Sequence, residues 1–139
     1  DSGIYIASII PEAVTDEAQR LIARWKQSGI QIAAPALFRY EVIAVMRKSV
    51  VRGRLTSPQA ASRIAMMQDE PIEYFIDDAL LKRAFELAER FNQPTAYDSQ
   101  YLAVAERLNA AFWTTDERFY NAVRSDLGWV RWLQPDSSL

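Results

Sequence analysis

Apolar runs too short for helices alternate along this chain with longer stretches of helical periodicity, and that alternation restricts the fold more than any other feature. Ile30-Gln-Ile-Ala-Ala34, Ile72-Glu-Tyr-Phe-Ile76, Ala110-Ala-Phe-Trp-Thr114 and Trp129-Val-Arg-Trp132 read as strands. Thr15 is the expected N-cap of a helix through Lys26 that Gly29 stops. Leu37, Phe38, Val42, Val45 and Met46 fall at helical spacing from Ala36 to Val51, closed by Gly53. Thr56-Ser-Pro58 opens a helix to about Asp69. Asp77-Asp78 introduces Ala79 to Phe91, Pro94 restarts a helix carrying Tyr97 to Arg107, and Asp116 to Val123 forms a short one. Strands alternating with helices predict an α/β fold whose mostly parallel sheet is covered on both faces, giving three layers, α/β/α.

A length of 139 residues, half of them hydrophobic, suits one domain, residues 1–139, with its own core. No apolar run approaches a membrane span and no secretion signal opens the chain, so a soluble, cytoplasmic protein is expected. Composition narrows the chemistry further. The chain has no Cys and no His, which removes thiol nucleophiles, thiolate metal sites, the commonest general base and the usual zinc ligand. Any catalysis must run on carboxylates, hydroxyls, Lys, Arg or a bound metal. The net charge of −2 hides an asymmetry: residues 37 to 54 carry five cations against Glu41 alone, and residues 69 to 89 carry seven acids against Lys82 and Arg83.

Several acids stand where acids are unusual. Glu41 lies four residues from both Leu37 and Val45, on a helix face meant for the core. Asp98 shares a face with Tyr101, Leu102 and Ala105. An unpaired carboxylate there costs several kcal/mol on the scale of buried ions, so something positive should meet it. Asp116 follows an apolar strand at its carboxyl end, the edge where open parallel sheets bind ligands. Asp1 precedes the apolar stretch Ile4 to Ile10 and would hold an equivalent position if a strand preceded it. Each acid also has a plainer use: Asp116 as a helix cap, Asp98 at a helix dipole, Glu41 paired or reaching solvent, Asp1 exposed. Together they make an oxygen-only set suited to Mg²⁺ or Mn²⁺, a way to generate a strong nucleophile without His or Cys.

The ordered blocks Asp1-Ser2, Pro11-Glu12, Tyr40-Glu41-Val42, Tyr97-Asp98-Ser99-Gln100-Tyr101-Leu102-Ala103-Val104-Ala105-Glu106 and Thr114-Thr115-Asp116-Glu117-Arg118-Phe119 resemble the PIN domain, and within it toxin nucleases of the VapC type. The resemblance implies Asp1, Glu41, Asp98 and Asp116 as an acidic quartet and endonucleolytic RNA cleavage by metal-activated water. It gives Thr114 as the hydroxyl supporting the last acid or a metal-bound water, and Ser2 as the small polar residue beside the first. It implies a sheet of about five strands, with a strand before the first acid of which about five residues are absent from this sequence. Gly3 stands where that family more often carries Ser, Thr or Asn. The implied partners are a small antitoxin and a second copy in a homodimer.

Arg47, Lys48, Arg52 and Arg54 form a basic helix end able to run phosphates toward the acids, and Arg39 and Arg118 each neighbour a proposed acid. Tyr40, Tyr97 and Trp113 are candidates for stacking on bases, against the commoner core role of aromatics. The chief competing reading is an inactive interaction module whose acids bind a basic partner segment. A phosphoacceptor receiver domain fits poorly, because no adjacent acid pair stands early and no Lys follows the last strand.

Overall fold

The structure is a computed structural model and describes residues 1–136. Seven helices and four strands follow in the order α1 (Ser2–Ile9), α2 (Thr15–Gln27), β1 (Ile32–Pro35), α3 (Leu37–Val51), α4 (Ser57–Asp69), β2 (Ile72–Phe75), α5 (Asp78–Arg90), α6 (Tyr97–Leu108), β3 (Phe112–Thr114), α7 (Glu117–Val123) and β4 (Val130–Trp132). All strand pairing is parallel, but the described residues form two pairs and no single sheet. Ile32 to Pro35 lie opposite Ile72 to Phe75, and Phe112 to Thr114 lie opposite Val130 to Trp132. Strands alternate with helices as expected, in a helix-rich α/β chain.

A cavity of about 580 Å³ separates the pairs, lined by residues that include Tyr5, Trp25, Ala33, Phe38, Val104 and Trp113. Parallel ladders bond alternate residues of a strand to alternate sides. Phe112 donates its amide to the Trp129 carbonyl and Leu133 donates to the Thr114 carbonyl, so the backbone of Trp113 faces away from β4. Ala36 donates to the Phe75 carbonyl, which by the same alternation turns Ala33 away from β2. Both open strand edges therefore border one cavity. Helix α6 packs against β1, β3 and α5, with Leu102 and Ala103 wholly buried at its centre.

Local chemistry explains most boundaries. Gly29 and Gly53 adopt positive φ just past the ends of α2 and α3, the left-handed step that glycine takes without strain. Helix α4 opens on a reciprocal capping box: the Gln59 amide donates to Thr56 Oγ1 at 3.2 Å, and the Thr56 amide donates to Gln59 Oε1 at 2.9 Å. Thr56→Ala should cost about 1 kcal/mol, a cap's usual worth; urea denaturation should place Thr56→Ser near wild type.

The apolar stretch after Asp1, to which periodicity assigns no element, is a helix, α1, and Asp1 caps it by accepting the Ile4 amide. Two local expectations change. Thr15 is the first residue of α2 and does not cap it; its hydroxyl accepts from the Glu12 amide and donates to the Ile10 carbonyl. The strands are shorter than their apolar runs: Ile30 and Ala110 lie outside them, and Pro35 is the last residue of β1, not a residue beyond it.

Candidate active site

Four elements deliver the acids to one neighbourhood. Asp1 stands at the head of α1, Glu41 on the first turns of α3, Asp98 in the first turn of α6, and Asp116 between β3 and α7. Thr114, completely buried at the end of β3, ties two of them. Its hydroxyl donates to Asp1 Oδ2 at 2.6 Å and accepts from the Asp116 amide at 2.9 Å. Asp116 in turn accepts the Phe119 amide through Oδ1 at 2.9 Å and caps α7. The capping use is therefore real, and it occupies one carboxylate oxygen.

Glu41 is half-buried and held by two hydroxyls at the same oxygen. Tyr101 donates at 2.5 Å and Ser2 at 3.2 Å. Burial, and then the hydrogen bond to Glu41, push the Tyr101 phenol well above its ordinary range, so it stays protonated and remains a donor. Tyr101 lay on the expected inward face of α6, three residues after Asp98. Its role as the Glu41 anchor went unread because the partner comes from another helix.

Asp98 has neither a hydrogen bond nor an ion pair within the described residues. Burial raises its pKa above the usual carboxylate value, and the nearby charges of Asp116 and Glu41 raise it further. The Asp1 backbone nitrogen donates to the Trp113 carbonyl. Asp98 thus lies in the field of Asp116 and Glu41, and Thr114 joins the Asp1 carboxylate to the backbone of Asp116.

The donor set is oxygen only, the chemistry of a hard divalent cation. Closeness is a separate matter: among the described residues no three acidic side chains stand near enough together to hold one ion as they are placed. What bears on a cation is charge: Asp98 is a half-buried carboxylate without a partner among the described residues, in the field of two others, the kind of group that a nearby cation stabilises.

The basic residues divide. Arg118 is exposed in the first turn of α7, two residues from Asp116, and Arg47 and Lys48 are exposed further along α3. None of the three makes an ion pair within the described residues. Arg39 instead lies over the Tyr74 ring at 5.5 Å, a cation–π contact that directs it toward β2. Tyr40 and Tyr97 are exposed. Trp113 is not: it is half-buried and meets Trp25 edge-on at 6.1 Å.

No individual curated protein matches the chain. A family model described as PIN domain matches residues 6–124, a span that takes in Glu41, Asp98 and Asp116 and stops short of Asp1. Among the described residues no helix is long and apolar enough to cross a membrane. With most of its length matched, the chain belongs to the PIN domain family, whose members are generally nucleases that use divalent metal ions.

Proposed function

We propose that this chain is an endoribonuclease of the VapC toxin type, cutting RNA phosphodiesters with Mg²⁺ or Mn²⁺ held by Asp1, Glu41, Asp98 and Asp116. The observation that carries this reading is Asp98, a half-buried carboxylate without a partner whose pKa is raised by burial and by Asp116 and Glu41. When bound, the cation supplies Lewis acidity, activating water and offsetting charge on the phosphate. The protein's part is positioning. Thr114 fixes Asp1 and the turn carrying Asp116, while Ser2 and Tyr101 fix Glu41. Arg118, Arg47 and Lys48 would contact phosphates, with Arg39 at the margin, and exposed Tyr40 and Tyr97 would stack on unpaired bases.

The finer fold is proposed with it. A fifth parallel strand seated between β1 and β3 would bond Ala33 on one side and Trp113 on the other, joining the pairs into one sheet in a single three-layer domain. The strand that the family resemblance puts ahead of the first acid fits that cavity. Exposed Tyr40, Ile76 and Leu81 border an apolar groove of about 190 Å³, which supports protein partners: a second copy and a small antitoxin, in the cytoplasm.

A second reading, an interaction module whose acids bind a basic segment, is favoured by the absence of three converging acids among the described residues. Incubating the protein with single-stranded RNA separates the two. Cleavage that needs Mg²⁺ or Mn²⁺ and stops on adding EDTA is expected. Intact RNA at saturating Mn²⁺, with tight binding of a basic peptide, would favour the module.

A further inference from the structure

The carboxyl edge of the β3–β4 pair carries a feature that the acids do not use. Thr114 lies opposite Trp132 in the parallel register, and directly paired residues project to the same face of a sheet, from strands about 4.8 Å apart. Trp132 therefore stands one strand away from the hydroxyl that ties Asp1 to the Asp116 turn. Two positions earlier on that face Val130 is buried, whereas Trp132 is half-buried and, among the described residues, packs on neither cluster of the core. Its ring stacks instead on Tyr120 of α7, at a centroid distance of 5.9 Å and an interplanar angle of 28°. Arg124, one turn further along, lies over the Tyr120 ring at 5.7 Å, is exposed and makes no ion pair within the described residues.

A core position would hide an indole, and a solvated strand end would not call for one. Trp132 is held at the surface by a second aromatic ring, beside the acids and close to two exposed cations of α7, Arg124 at its end and Arg118 in its first turn. A fixed π-face flanked by cations is the platform on which unpaired bases stack, with little regard to sequence. We infer that Trp132, backed by Tyr120, stacks on an unpaired base of the RNA next to the phosphodiester at the acids, with Arg124 toward the strand's phosphates. The substrate is then a single strand or a loop, because a base inside a duplex offers no free face. This deepens the proposed RNA-cleaving reading and rests on it. Trp113, the tryptophan of β3, does not share the role: it projects to the other face of the pair and meets Trp25.

Fluorescence anisotropy of a short labelled single-stranded RNA, in EDTA so that nothing is cut, tests the inference. Trp132→Ala should weaken binding about tenfold or more, the usual worth of one stacked base, with little change in melting because the ring packs on Tyr120 and on no core cluster. Trp132→Phe should keep most of the affinity, and Trp132→Leu, apolar but without a π-face, should fail as Ala does. Scanning the RNA with abasic nucleotides gives a readout that mere packing would not move. At one position the missing base should weaken wild type as much as Trp132→Ala does, and should weaken Trp132→Ala no further. If Trp132→Ala binds like wild type, if Leu serves as well as Phe, or if no base is coupled to position 132, the stacking role is overturned and the ribonuclease reading stands on its cleavage assay. Wild type that cuts RNA with Mn²⁺ but binds none in EDTA also overturns the role alone. If wild type neither binds nor cuts RNA, both fall together.

Discussion

Asp98→Asn is expected to reduce metal-dependent RNA cleavage by more than about a hundredfold, the upper range for outer-shell metal partners, while making the metal-free protein harder to melt. The two effects share one cause. The Asp98 carboxylate is partly removed from water, has no partner and feels Asp116 and Glu41. Its place in the first turn of α6 returns only about 0.3–1 kcal/mol from the helix dipole, which screening reduces further at a half-exposed position. Asparagine keeps the shape and removes the charge. The pH dependence follows from the sign of the shift. A raised folded pKa means that the native state keeps a proton the unfolded chain releases, so metal-free wild type loses stability as pH rises from 3.8 through the raised value. The thermal advantage of Asp98→Asn should appear across that window and vanish below it. Melting in EDTA at several pH values, beside cleavage assays with Mn²⁺, reads both effects. A variant that loses stability and activity together would make Asp98 a structural residue, and one with full activity would sink the proposed chemistry.

How much of this was legible depended on whether the deciding partner was local. The capping box at Thr56, the glycines after α2 and α3, and the Asp77 cap of α5 are written within a few residues, and the structure keeps them. Helix α1 was not legible, since a short apolar run rich in isoleucine carries no period that separates helix from strand. Thr15 misled for a related reason: its hydroxyl is engaged by Glu12 and Ile10, which left Val14 as an N-cap without a side-chain bond. The strand segments were visible, but the cavity between the two pairs depends on contacts far apart in sequence. At the site, periodicity pointed Glu41 and Asp98 inward, and Asp116 turned out to be cap and candidate ligand at once because a carboxylate has two oxygens. The hold of Tyr101 on Glu41 was not legible, because it joins residues 60 positions apart in sequence, a separation that local patterning does not encode.

Phe112→Ala should be the most destabilising of the substitutions considered, at about 3–5 kcal/mol, a large share of the roughly 5–15 kcal/mol that holds a domain together. Phe112 is 4% exposed. Its ring meets Tyr101 and Phe119, each at a centroid distance of 6.1 Å, the second edge-on. Both neighbours serve the site: Tyr101 holds Glu41, and the Phe119 amide is the one Asp116 caps. β3 has only three residues and pairs on one side within the described residues, so its backbone bonds alone cannot keep Thr114 in place once the ring is gone. Truncation would leave a void where α6, β3 and α7 meet. The urea midpoint should fall with an unchanged slope, the melting temperature should drop by about 10 °C or more, and activity should fall with it, unlike the opposed effects at Asp98. Phe112→Leu, which refills most of the volume, should recover much of the loss. A cost under about 1 kcal/mol for Phe112→Ala, well below the usual range, would show that the packing beneath the acids is loose, and that Thr114 and Tyr101 are held by their hydrogen bonds alone.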